Sequence, residues 1–115
     1  MASEKADLLN TIILAESSGN PSAVGDHGAA RGLCQIQRST WERLSGWPFS
    51  DAFDPEKNVQ VCMKRLEELR DKYPNKSDAY YAWKYNCGDH TKLSFEEWKR
   101  RQPNKAYRSL YKEEK

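Results

Sequence analysis

The sequence has no long apolar run. Its longest aliphatic stretch is Ile12-Ile13-Leu14-Ala15, far short of the ~20 residues that a membrane-spanning helix needs. The charged start, Met1-Ala2-Ser3-Glu4-Lys5-Ala6-Asp7, leads only into that short patch, so no cleaved secretory leader is expected. Any work outside the cell would then depend on lysis or another delivery route. Histidine is scarce, with only His27 and His90, and the three cysteines Cys34, Cys62 and Cys87 form no C-x-x-C pair. That spacing matches no zinc pattern, and an odd number of thiols cannot all pair within one chain. Buried free thiols are expected, with no metal and no organic cofactor. No repeat, low-complexity segment or Gly/Ser/Pro-rich linker divides the 115 residues, which read as one domain, 1–115.

Charge of one sign is lacking too. Nineteen basic against seventeen acidic residues leave +2, too little for a nucleic-acid surface. The balance is uneven, −3 over residues 1–54 and +5 over 55–115, which suits a polyanion or simply a solvated helical surface. A mean hydropathy of −0.99 marks a polar chain. Against these scarcities stand four Trp, six Tyr and three Phe. Each aromatic can bury on the order of 150–250 Å², enough for a packed core in spite of 31% charged residues.

The pattern is mainly helical. Ser3 is positioned to cap a helix through about Ser17, with Leu8, Leu9, Ile12, Ile13 and Ala15 on and beside one face. Residues 18–32 hold four of the six glycines and a proline, the chemistry of a loop or small hairpin. Ser39 is expected to cap a short helix, Thr40 to about Leu44. Asp54-Pro55 places an N-cap before proline at the first helical position. The helix it opens is predicted to reach about Tyr73, with Val59, Cys62, Met63, Leu66 and Leu69 as its apolar stripe. Ser77 caps the next helix, ending at Gly88, and Ser94 to Glu97 reads as a capping box. Pro103 is expected to begin the last helix, and any sheet falls within 18–37.

The stretch 12–41 carries most of the chemistry. Glu16 ends an apolar helix and abuts the glycine-rich loop. It is either an ordinary surface charge or a carboxyl partly withdrawn from water, whose raised pKa suits a general acid. Asp26, in Gly25-Asp26-His27-Gly28, is either a turn residue or a second acid near the first.

Glu16-Ser17, a Gly-Asn-Pro turn, and then Gly32-Leu33-Cys34-Gln35-Ile36 resemble the Glu-Ser … Gly-Leu-Met-Gln-Ile signature of the soluble lytic transglycosylase and goose-type lysozyme superfamily. Trp83-Lys84-Tyr85-Asn86-Cys87-Gly88 is similar to its Ala-Tyr-Asn-Ala-Gly block, and Ala106-Tyr107 more weakly to its late tyrosine element. The blocks occur in family order over about residues 8–110. The resemblance implies a lysozyme-like α bundle with a small loop and hairpin region beside a cleft. It implies cleavage of peptidoglycan glycan strands between N-acetylmuramic acid and N-acetylglucosamine by a monomer, with Glu16 as the lone acid/base. Ser17 would orient that carboxyl. Gln35 and the backbone of Gly32 and Leu33 would hold an N-acetyl group, Tyr85 and Asn86 would line the opposite wall, and Tyr107 would hydrogen-bond Glu16. Plainer roles stand beside these: a core aromatic for Tyr85, a helix-end residue for Asn86, a turn amide for Gln35.

Cys34 stands where the family usually has methionine, and Cys87 where it has alanine. Both positions line the family's cleft, so these two thiols are expected closer to each other than to Cys62, and able to bridge in an oxidising compartment. Lys84 replaces a small residue, which puts local packing in question. Relatives of this kind either form a 1,6-anhydro end or, as goose-type lysozymes do, hydrolyse with loop aspartates that place a water. The resemblance implies that role for Asp26 beside its plainer one in a turn, and the sequence leaves the choice open. Two other classes are possible in principle: a catalytically silent wall-binding module on the same fold, against which an intact Glu16 argues, and a basic-surface adaptor. No basic run longer than Lys99-Arg100-Arg101 supports the adaptor.

Overall fold

The computed structural model describes the backbone of residues 2–111 and the side chains of residues 7–111. Six helices and a three-stranded sheet surround one core. Helix α1, Ala2–Ser17, buries Leu8 and Ile12 completely. It starts ahead of Ser3, the expected cap, whose side chain lies outside the described residues. Ser18 and Gly19, with φ of 55° and 81°, turn the chain out of the helix.

The sheet falls where the glycine-rich segment predicts it. Strands β1 (Val24–Gly25), β2 (Ala30–Arg31) and β3 (Ile36–Gln37) run antiparallel in the order β1-β2-β3. Val24 faces Arg31 in the first pair, and Arg31 faces Ile36 in the second. Between β1 and β2, Asp26, His27 and Gly28 make a tight turn with positive φ throughout.

Strand β3 runs directly into α2, Arg38–Leu44, with Gln37 extended at the boundary and making no side-chain cap. Ser39 is therefore not the cap that the sequence suggests. The sheet sets where the helix begins, and Ser39 sits exposed in the first turn. A short 3₁₀ turn, Phe49–Phe53, follows without an obvious sequence signal. Asp54 then caps α3, Pro55–Lys72, accepting from Lys57 N at 3.1 Å.

The buried stripe of α3 is Asn58, Val61, Cys62, Leu66 and Leu69. This corrects the predicted stripe: Met63 is 49% exposed and Val59 only half-buried. An apolar-only reading turned the face because its anchor is polar. The Asn58 amide accepts from Cys34 N (2.9 Å) and donates to Arg31 O (3.0 Å) and Ala52 O (2.8 Å). Gly32, at φ +80°, lies against this knot, and an added Cβ would run into Ala52 O and Asn58 Nδ2. The loop wall is thereby fastened to α3.

Helix α4, Asp78–Cys87, is capped by Ser77 and ended by Gly88 at φ +87°. Lys84 is 8% exposed, its ammonium 4.3 Å from the Trp83 ring and 4.8 Å from that of Tyr73. The long side chain is absorbed by aromatic faces. Helix α5, Phe95–Arg101, begins at the Ser94 cap. Helix α6 is Lys105–Ser109, capped by Asn104 and not begun by Pro103. Asn104 takes the cap because its carbonyl accepts from Ala106 N and Tyr107 N, while its amide nitrogen donates to Ala15 O at 3.2 Å.

Cys62 is fully buried and unpaired, as its position predicts. The expected nearness of Cys34 to Cys87 is not found. The Cys34 thiol instead lies against that of Cys62, and this contact, then burial, push it well up. Cys87, the last residue of α4, is half-buried beside Asn86. Tyr85 lies over the inner pair, donating to Cys34 O at 2.7 Å and accepting from Cys62 Sγ at 3.7 Å.

Replacing Asn58 by Ala leaves three backbone groups, Arg31 O, Cys34 N and Ala52 O, without their partner. Each unsatisfied buried group costs about 1–3 kcal/mol, so urea unfolding of Asn58→Ala should show a loss of about 3–5 kcal/mol. A loss below about 1 kcal/mol would mean that the knot is dispensable.

Candidate active site

A cleft of about 290 Å³ has one wall from the sheet and its turn and the other from the end of α4. Glu16, Asp26, Gln35, Gln37, Tyr85 and Asn86 are among the residues that line it. Glu16 comes from the last turn of α1 and is half-buried there. Its Oε2 accepts from Asn86 Nδ2 at 3.2 Å and from the Tyr107 hydroxyl. Among the described hydrogen bonds, none reaches Oε1.

The carboxyl is held above its ordinary value. Withdrawal from water is the main cause, the bonds from Tyr107 and Asn86 oppose it, and the negative charge of Asp26 adds to it. The negative end of the α1 dipole acts in the same direction. Tyr107, 2% exposed, has its own hydroxyl pushed far up, first by burial and then by the Glu16 charge. It therefore remains a donor. Arg65 also lines the cleft, but its guanidinium is engaged by Glu68 (3.0 Å) and Asp89 (3.1 Å).

The other expected residues divide. Asp26 is exposed at the rim, accepting from Gln37 Nε2 at 3.3 Å. Gln35, at φ +51°, lines the cleft but spends its amide nitrogen on Ala23 O and Gly32 O, both at 3.0 Å. Gly32 has its N–H on Ala23 O and its carbonyl on Gln35 N. Neither Gly32 nor Leu33 lines the cleft, so their expected place at a sugar is not met. Ser17 also departs from expectation: its hydroxyl donates to Ile13 O at 3.0 Å and accepts from Gly19 N at 3.2 Å. It closes the helix end, and the Glu16 carboxyl is oriented by Asn86 and Tyr107 instead. Arg65 and Gln37 were invisible in the sequence, because nothing in a helix or strand pattern says which polar residue will face a cleft.

A lone half-buried carboxyl at a helix end, facing a cleft beside a small sheet, is the arrangement of lysozyme-like glycosidases. The Transglycosylase SLT domain family matches residues 1–110. The chain belongs to this family of peptidoglycan-lytic transglycosylases, and its mainly helical fold is the lysozyme-like one. Among the described residues, no helix is long and apolar enough to cross a membrane.

Because the folded state holds Glu16 above its ordinary value, the carboxylate opposes folding as pH rises through the raised pKa. At pH below the unfolded value both states are protonated and nothing is lost. Glu16→Gln should therefore melt close to the parent at acid pH and above it at neutral pH. A melting difference independent of pH would contradict the desolvated state of Glu16.

Proposed function

We propose that this protein cleaves the β-1,4 bond between N-acetylmuramic acid and N-acetylglucosamine in peptidoglycan, with Glu16 as its single acid/base. The observation that carries this reading is the Glu16 carboxyl itself, half-buried at the cleft and held at Oε2 by two neutral donors, with withdrawal from water raising its pKa. The upward shift favours the protonated form that a general acid requires.

The proton on Oε1 passes to the glycosidic oxygen as the bond from C1 to that oxygen breaks. The carboxylate so formed is stabilised by Asn86 and Tyr107. It then takes the proton from the muramic acid 6-hydroxyl as that oxygen closes on C1, which gives a 1,6-anhydro end and restores the acid. Gln35 and Tyr85 form the surface along which the sugar lies. This one-carboxylate route is favoured over hydrolysis because Asp26 is exposed and engaged by Gln37, whereas two-carboxylate glycosidases place a second acid at the reacting carbon.

Glu16→Gln should lower activity on purified cell walls by about 10²–10⁴-fold while binding persists. Near-parental clearing by that variant would remove Glu16 from the chemistry. Mass spectrometry of the digested wall should find products one water lighter than hydrolysed muropeptides. Asp26→Asn should leave the rate nearly unchanged and move the alkaline limb of the pH profile slightly down, since the Asp26 charge raises Glu16. Hydrated products together with a large loss in Asp26→Asn would mean lysozyme-type hydrolysis.

A further inference from the structure

Asn86 has two chemically different ends, and which of them meets Glu16 decides what it does. An amide nitrogen donates and favours the carboxylate, while a carbonyl favours the protonated acid. The cleft alone does not fix the choice, since Asn86 is exposed at the end of α4. The other side of the amide does. Trp98 Nε1 lies 3.0 Å from Asn86 Oδ1, and an indole N–H can only donate. The atom it meets must be the carbonyl, so the nitrogen is left facing Glu16. The Cys87 thiol, 3.6 Å from the same Oδ1, is a weaker second donor.

Trp98 is itself immobilised. It is 2% exposed, in α5, packed on Tyr107 (5.6 Å between ring centroids), Tyr111 (6.0 Å) and Phe95 (6.4 Å). The buried indole thus has a fixed direction, and a rotation of the Asn86 amide would set two donors against each other. We propose that Trp98 is a positioning residue for the glycosidase reaction: its indole N–H locks the Asn86 amide with nitrogen toward Glu16, and so sets the pH at which the acid loses its proton. This rests on the reading of Glu16 as general acid.

The other titratable or charged groups around Glu16 are Tyr107 from α6, Asp26 from the hairpin turn, Cys87 from α4, Cys34 from the loop before β3, and Arg65 of α3 at the cleft wall. Tyr85 of α4 also lines the cleft. Of all these groups only Tyr107 packs on Trp98, and a replacement that keeps an aromatic ring there keeps that packing. Removing the N–H while keeping a ring frees the amide to turn its carbonyl toward the protonated acid, which then holds its proton to higher pH.

The test is Trp98→Phe, read by the pH profile of cell-wall cleavage and, without using activity, by ¹³C NMR titration of the Glu16 carboxyl. Both midpoints should move up by about one pH unit, the size of one lost charge-assisted hydrogen bond. In an Asn86→Ala background, Trp98→Phe should add nothing further. If the smaller ring disturbs folding, benzothienylalanine at position 98 keeps the indole shape, replaces N–H by sulfur, and is held to the same result. An unmoved or lowered midpoint in a folded variant, or an undiminished shift without Asn86, overturns the lock. The NMR midpoint tests the lock apart from the mechanism: an active Glu16→Gln overturns the acid, whatever Trp98 does.

Discussion

The site depends on withdrawing one carboxyl from water without giving it a cation. Burial raises Glu16, and the only described donors to it are an amide and a phenol. Both are neutral, so they orient the group and temper its desolvation without forcing ionisation. A guanidinium at the same place would stabilise the carboxylate and hold it ionised at neutral pH. Arg65 lines the cleft and is kept from that role by Glu68 and Asp89. The ion pairs of α3 thus have a consequence in the cleft: they occupy the one described cation lining it, which would otherwise favour the ionised form of Glu16.

Around this carboxyl the walls are held by different means. The hairpin wall is short, two residues per strand, and pairs of that length are not stable alone. Its support comes from Asn58, which ties three backbone groups, from the loop of residues 31–34 and from Ala52, to α3. The opposite wall rests on aromatic packing, a chain of rings from Tyr80 through Phe95 and Trp98 to Tyr107. A polar knot on one side and apolar faces on the other let the cleft keep its shape while its floor stays polar.

The sequence makes much of this legible. The caps at Asp54, Ser77 and Ser94 and the glycine-rich hairpin are local signals, and local signals translate directly into local structure. Glu16, Asn86 and Tyr107 came through resemblance of spaced blocks, and the structure joins them across the fold. Failures cluster where tertiary contact overrides local preference. Ser39 yields the helix start to the sheet, and Pro103 yields it to an asparagine whose other end is needed at Ala15. Met63 turns outward because a polar residue, Asn58, claims the inner face. Cys34 lies against Cys62, with both thiols free, because residue 34 is pulled inward by that same asparagine. The role of Trp98 leaves no trace in periodicity, since a core tryptophan looks the same whichever way its N–H points.

The bonds from Asn104 to Ala15 and from Tyr107 to Glu16 span 89 and 91 residues. Closing so long a loop costs only a little more than closing one half its length, about 0.6 kcal/mol per doubling, but it orders events. During synthesis Glu16 is made before the phenol and the cap that hold this end of α1. A chain interrupted before residue 104 carries the acid but neither of these two groups that fix its position. The carboxyl is therefore fixed in place only once both ends of this stretch are present, so its environment is a property of the assembled fold and of no shorter segment of it.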